Sequence, residues 1–390
     1  MSKGSFVAFI PVRGGSKGIP GKNIRKFCGQ PLVYWAVKVA SDSKRIDKVY
    51  VSTDSKEIKS IVEGFKLSKV QVIGRSKAVS TDTASTEAVM LEFAKKNNFE
   101  NIVLIQATSP LLEARDLDKA IEKFEKGKFD SLLSLVKQKR FLWKTDGRVV
   151  EPINYDYSNR PRRQDFDGFL VENGAFYITS KDLLMKSKCR LSGKIGSYEM
   201  KEDSYYEIDT LNDWIVAEKL KFERIKADVD GLYNLNNVKL LVCDMDGVMT
   251  DAGMYYSKDG ERMKKFSARD GMGIKFLRNN GIKIILLTGE DNQIVRERAK
   301  KLNVDFLGAG VKDKLTYLKG FFEKNKKYNF KNTAYIGDDL NDLECLSRVY
   351  FSACPADAVG EVKGVVKYLC VNDGGGGCVR EVCDLIINNR

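Results

Sequence analysis

The chain has 390 residues, 43% hydrophobic and 31% charged, with 66 lysines and arginines against 53 aspartates and glutamates, a formal charge of +13. That balance is globular, and no apolar run approaches the roughly 18 residues of a membrane span. There is no histidine, which excludes histidine metal ligands, Ser-His-Asp triads and a histidine base, and leaves catalysis to carboxylates, lysines, arginines and metal ions.

The length suggests two or three domains. The first residues lack a long apolar core and a small-residue cleavage site, so no signal peptide is expected. Cys28, Cys189, Cys243, Cys345, Cys354, Cys370, Cys378 and Cys383 are scattered without a CxxC pair. They read as thiols in a reducing, cytoplasmic setting rather than as disulfides. Basic residues are interspersed with acids, and are densest at 160–163 and 324–327. A nucleic-acid binder concentrates its charge, so neither nucleic acid nor membrane is expected as a partner. The surplus reads as solvated surface plus pockets for small anions.

In chain order, Ser5–Val12 reads as a strand, followed by the Gly- and Lys-rich loop Arg13–Asn23. Such a loop can turn backbone N–H groups on a phosphate, and Arg13, Lys17 and Lys22 add charge. It is neither a P-loop nor GxGxxG, and by itself reads equally as a flexible turn. Pro31–Ala40 reads as a helix, with Leu32, Trp35, Ala36 and Val39 at helical spacing. Lys48–Thr53 is a strand, and Ser55 caps a helix to Phe65. A strand at Gln71–Ile73, a helix at Ser85–Asn97 and a strand at Asn101–Gln106 follow, then a helix at Asp116–Lys126 and a strand at Ser131–Val136. This alternation predicts a mostly parallel sheet with helices on both faces. Residues 137–210 are less regular. A helix at Leu211–Lys226 closes a first domain, 1–226, and 227–237 reads as a linker.

In the second domain, 238–390, Lys239–Cys243, Lys283–Leu287 and Thr333–Ile336 are short apolar runs, as buried parallel strands are. They run into Asp244-Met245-Asp246-Gly247, Thr288-Gly289, and Gly337-Asp338-Asp339 with Asp342 close behind, while Lys314 opens a helix-like run. Carboxylates at the end of a buried strand are unfavourable without a cation, and Mg²⁺ suits hard oxygen ligands. Acidic turns after core strands are the bland alternative. The expected fold class is α/β: two doubly wound, mostly parallel-sheet domains.

These second-domain motifs, in this order, resemble the haloacid-dehalogenase phosphatases. The resemblance implies Asp244 as nucleophile and Asp246 as general acid, then base. It implies Mg²⁺ on Asp244, the Asp246 carbonyl and Asp338, with Asp339 or Asp342 in support. Thr288 and Gly289 would bind the phosphoryl group, and Lys314, or its rival Lys312, would balance its charge. GMYYSKDGERMKKF (253–266), SARDGMGI (267–274) and DGGGGCVREVCDLI (373–386) resemble the capless 3-deoxy-octulosonate 8-phosphate phosphatases and their nonulosonate 9-phosphate relatives. That implies a homotetramer in which a neighbour's hairpin or tail helps close the site. It also implies Arg269, Asp270 and Arg380 as substrate contacts, although Arg380 reads equally as a surface helix residue. Glu290 stands where octulosonate enzymes usually carry Arg, which favours a longer sugar acid. Lys301 follows about three helical turns later and is expected on the same side of that helix as Glu290.

In the first domain, IPVRGGSKGIPGKN, YVSTDS, IQATSPL, RPRRQ with ENGAFYI, and YEIDTLNDW resemble the acylneuraminate cytidylyltransferases over roughly residues 5–222. The resemblance implies that Arg13, Ser16, Lys22 and Asn23 hold the CTP phosphates and ribose. Gln106 and the Ser109 region would face the sugar acid, with Arg163 and Gln164 near its carboxylate and Lys144 as a further contact. Glu207 and Asp209 would hold a second Mg²⁺; as helix N-terminal acids they have a structural reading too. The implied substrates are CTP, a nonulosonic acid of the KDN or sialic acid type, and its 9-phosphate. Two alternatives stay open. The second domain could be a silent tetramerisation platform, or the substrate a 3-deoxy-octulosonate or legionaminic-type acid.

Overall fold

The computed structural model describes residues 4–389 apart from Ser16, Lys17, Asp82 and Asp259, and excludes the side chains at 230–232, 257 and 260–262. Two compact units form, Met1–Phe27 with Pro31–Lys221, and Cys28–Gln30 with Phe222–Arg390.

The first unit carries a seven-stranded sheet in the order Ile195–Met200, Ser131–Gln138, Phe169–Ser180, Asn101–Ile105, Phe6–Pro11, Lys48–Ser52, Val70–Ile73. Phe6–Pro11 is buried almost throughout, as a central strand covered on both faces must be. Ala8 lies opposite Val49 on one side and Val103 on the other, both pairs parallel. The segments after these strands therefore leave one edge together, the edge where open α/β sheets bind ligands. The Ser55 and Ser85 hydroxyls accept from the Ile58 and Ala88 N–H groups and start the helices Lys56–Glu63 and Thr86–Lys96.

The stretch expected to be irregular holds a 12-residue strand, Phe169–Ser180, antiparallel to both neighbours. Asn173-Gly174 reads as a turn in sequence. Here Gly174, at φ +65°, makes a bulge where the register shifts between Glu172 and Tyr177. The closing helix also differs: it spans Leu211–Leu232, and Leu235–Asn237 forms a 3-10 turn, so most of the expected linker is regular. Val229 and Leu235 are buried in one apolar cluster with Val238 and Leu241, and this burial outweighs the poor helix propensity of the Asp and Gly residues between.

The second unit carries a six-stranded sheet in the order Phe306–Gly308, Lys283–Leu287, Leu240–Cys243, Thr333–Ile336, Phe351–Cys354, Tyr368–Leu369. Every pairing in it is parallel. The expected hairpin is present as Tyr255–Ser257 and Gly260–Met263. None of the eight cysteines forms a disulfide, and all but Cys189 are buried. No helix among the described residues is long and apolar enough to cross a membrane.

Candidate active sites

Cys243 lies opposite Leu286 and Ile336. Asp244, Thr288 and Asp338 therefore leave the second sheet at one edge. Lys314 opens the helix Lys314–Lys324, whose first turn is capped by the Asp313 side chain accepting from the Thr316 N–H. Its side chain is buried, with Nζ 2.8 Å from Asp244 Oδ2 and 2.7 Å from Asp342 Oδ1. Burial alone would lower the Lys314 pKa, but the charges of Asp244 and Asp342 outweigh it and the pKa rises. Lys312 is exposed, whereas Lys314 is buried between the two carboxylates.

The Tyr335 hydroxyl donates to Asp342 Oδ1 at 2.6 Å, and Asp342 Oδ2 accepts from the Asp338 N–H at 3.1 Å. Asp342 thus anchors both the lysine and the turn. Asp339 instead accepts from the Leu340 N–H and starts a 3-10 turn. Burial, then the nearby Asp342 charge, raises the Asp244 pKa well above the usual carboxylate range. The same two causes push Asp338 up to about 7. Thr288 is buried, and its hydroxyl oxygen accepts from the Glu290 N–H at 3.1 Å, with Gly289 exposed beside it.

Oxygens of Asp244, Asp338 and Asp342 all lie within 4.8 Å of one another. Asp338 Oδ1 is buried with no hydrogen-bond partner. An orphaned buried oxygen in a crowd of carboxylates fits a hard divalent cation. Asp246 is held apart: its Oδ1 accepts from Lys264 Nζ at 2.6 Å. Sequence reasoning missed Lys264, because one lysine in a basic run has no pattern of its own.

Gly247 turns the chain at φ +81°, and a Cβ there would stand 1.9 Å from Asp338 Oδ2. Gly247→Ala should therefore displace Asp338 and cost about 1–3 kcal/mol in strain. We expect a lowered Tm together with a loss of phosphate release of at least ~10-fold, since even one misplaced group can cost ~10². Parent-like values of both would show that the turn tolerates a side chain.

Other expected contacts are dispersed. Glu290 precedes the helix Gln293–Leu302, which Asn292 caps, whereas Lys301 lies in its last turn. The two are therefore at opposite ends of that element, not on one side of one helix, because the helix starts later than the spacing assumed. Asp270 is 0% exposed, and its Oδ1 accepts from the Arg380 N–H at 2.8 Å, so it ties two segments together and cannot meet a substrate. Arg269 and Arg380 line one cavity with Lys226, Asn372, Glu381 and Asp384, and Arg380 pairs with Asp384 at 2.7 Å. None of Asp244, Asp246, Thr288, Lys314 or Asp338 lines that cavity.

In the first unit, Arg13, Lys22, Asn23, Gln106 and Asp209 line one cavity of about 390 Å³. Lys22 Nζ donates to the Ile208 carbonyl at 2.6 Å and to Asp209 Oδ1 at 3.2 Å. Asn23 is buried, and its amide donates to the Arg13 carbonyl at 3.1 Å, which braces the loop. Gln106 donates to the Gly174 carbonyl at 2.7 Å and to Glu207 Oε1 at 3.1 Å, where Thr108 also donates at 2.9 Å. Burial is the main reason the Glu207 pKa is raised, with the Asp209 charge adding to it.

Ser16 lies outside the described residues. Arg163 and Gln164 do not line this cavity. Arg163 is exposed and 3.8 Å from Glu202, while the Gln164 carbonyl accepts from Lys139. Lys144 pairs with Glu151 across a small hairpin. Arg75, which sequence reasoning missed, lines the cavity and donates to the Val12 carbonyl at 2.6 Å. Its signal was available, since it follows Val70–Ile73, a fourth strand ending at the same edge.

A family model described as Cytidylyltransferase matches residues 7–239. The chain belongs to the cytidylyltransferase family. This cytidylyltransferase is 36% identical to the N-acylneuraminate cytidylyltransferase of Oncorhynchus mykiss over 99% of its own length and 89% of that protein. It is 33% identical to N-acylneuraminate cytidylyltransferase B of Danio rerio over 98% of its length and 90% of that protein. Over 40% of its length it is also 37% identical to the 3-deoxy-D-manno-octulosonate 8-phosphate phosphatase of Yersinia pestis, covering 84% of that protein. The cytidylyltransferase is thus an enzyme with kin in both nucleotidyl transfer and phosphate-ester hydrolysis.

Proposed function

We propose that the first unit transfers CMP from CTP to the anomeric hydroxyl of a nonulosonic acid, and that the second removes the 9-phosphate of its precursor. The observation that supports the two-activity reading is Lys314 held between Asp244 and Asp342, in a chain that matches an N-acylneuraminate cytidylyltransferase over 99% of its length.

In the transfer, the sugar hydroxyl attacks the α-phosphorus while Arg13 and Lys22 stabilise charge on the departing pyrophosphate. In the hydrolysis, Asp244 takes the phosphoryl group, and Asp246 protonates the leaving oxygen and then activates water. Thr288 and Gly289 grip the phosphoryl oxygens, and Lys314 balances their charge. Glu207 and Asp209 in one unit, and Asp244, Asp338 and the Asp246 carbonyl in the other, would hold Mg²⁺, which would supply charge neutralisation at phosphate oxygens.

A second reading has octulosonate 8-phosphate as the phosphatase substrate, favoured by the likeness to the Yersinia pestis enzyme. Glu290 favours the longer acid. The test is a panel of sugar acids with CTP, followed by pyrophosphate release, beside a panel of sugar phosphates, followed by phosphate release. Nonulosonates should be preferred in both panels. Phosphate release from none of the esters would leave the second unit as an assembly platform, with its partners other copies of this chain.

A further inference from the structure

Two lysines serve the acidic end of the second sheet, and they divide it. Lys314 takes Asp244 and Asp342. Lys264 takes Asp246, and its side chain is 0% exposed whereas that of Asp246 is 22% exposed. A fully covered ammonium cannot reach a substrate, so its effect on the site passes through the groups it touches, Asp246 among them. No other hydrogen bond to the Asp246 carboxylate is made among the described residues.

The position of Lys264 is itself constrained. It directly follows the strand Gly260–Met263, and the next residue, Lys265, pairs with Asp251 Oδ2 at 3.1 Å. Asp246 also stands outside the trio of Asp244, Asp338 and Asp342. The contact with Lys264 holds the Asp246 carboxylate in one orientation, clear of that trio. With Oδ1 tied to Lys264, Oδ2 is the oxygen left to exchange a proton.

The geometry points to Lys264 as the positioning residue for proton transfer by Asp246. This rests on the reading of Asp246 as acid and base. As the bond from phosphorus to the leaving oxygen breaks, its electron pair goes to that oxygen, the proton on Asp246 Oδ2 follows, and Asp244 gains the phosphoryl group. Asp246 then takes a proton from the water whose oxygen attacks phosphorus, and Asp244 departs as a carboxylate. Lys264 keeps its own proton and its bond to Oδ1 through both steps.

The test uses the full chain with Lys264→Met and two esters in rapid mixing. One is a nonulosonate 9-phosphate, whose alcohol needs a proton to leave; the other is p-nitrophenyl phosphate, whose phenolate does not. On the sugar ester, kcat should fall ~10²-fold with KM within about threefold, the scale of a lost acid-base contribution. On the aryl ester, a burst of nitrophenol should persist at close to the parent rate, followed by slow turnover, because only the second step needs the oriented base. Lys264→Arg should recover most of kcat. Loss of the burst along with turnover would assign Lys264 a merely structural role, and parent-like rates on both esters would remove it altogether. Asp246→Asn separates the two ideas. If it is impaired while Lys264→Met is not, only the positioning role falls; if it turns over normally, the acid-base reading falls first.

Discussion

Asp244→Asn should release phosphate at least ~10³-fold more slowly than the parent chain, the scale lost with a covalent catalytic residue. Asp244 Oδ1 accepts from the Met245 N–H at 2.7 Å, a bond the amide oxygen of Asn can keep. What goes is the charge at Oδ2, 2.8 Å from Lys314, and with it the nucleophile. Stability should move the other way. The folded state holds the Asp244 proton more tightly than the unfolded chain does, so ionising it weakens the fold as pH rises above the ordinary carboxylate range. A neutral Asn removes that penalty, and Lys314 retains Asp342. Without added metal at neutral pH, the Tm should therefore hold or rise while turnover collapses. Cytidylyl transfer should be unchanged. A variant that hydrolyses sugar phosphates normally would remove Asp244 as the nucleophile.

Lys22→Met should lower cytidylyl transfer by ~10²–10³-fold, as expected when a preorganised cation facing developing negative charge is lost. The Lys22 side chain is 13% exposed, so its charge acts largely shielded from water. Its bonds to the Ile208 carbonyl and Asp209 also fix the segment that carries the two acids. Losing them should cost only about 1 kcal/mol in stability, so the fold should survive. Pyrophosphate release would be followed at saturating CTP, beside phosphate release as an internal control. A loss of transfer under threefold would leave Arg13 and Arg75 as the groups that matter.

The sites were legible wherever a strand ended. Asp244, Thr288 and Asp338 follow apolar runs whose parallel pairing makes their ends coincide, so order along the chain was enough to bring them together. Lys314 came with them because its helix begins at that residue. Residues outside this rhythm were opaque. Lys264 reaches Asp246 only through the return of a hairpin, which has no periodic signature. Phe169–Ser180 was hidden because its bulge glycine follows an asparagine and mimics a turn. Glu290 and Lys301 were misjudged by treating a loop as helix. Asp270 was misjudged because burial, decided by the packing of distant segments, is not written in a short motif.

The all-parallel sheet of the second unit also governs how it is made. No neighbouring pair in it can close through a tight turn, so every pairing waits for a crossover. Such topologies form slowly, because loop closure precedes the contacts that reward it. During synthesis Leu240–Cys243 emerges first, yet its edges are covered only once Lys283–Leu287 and then Thr333–Ile336 have followed. The strand that leads into Asp244 is the oldest part of its sheet on the ribosome, and it stays exposed until most of the unit has been translated.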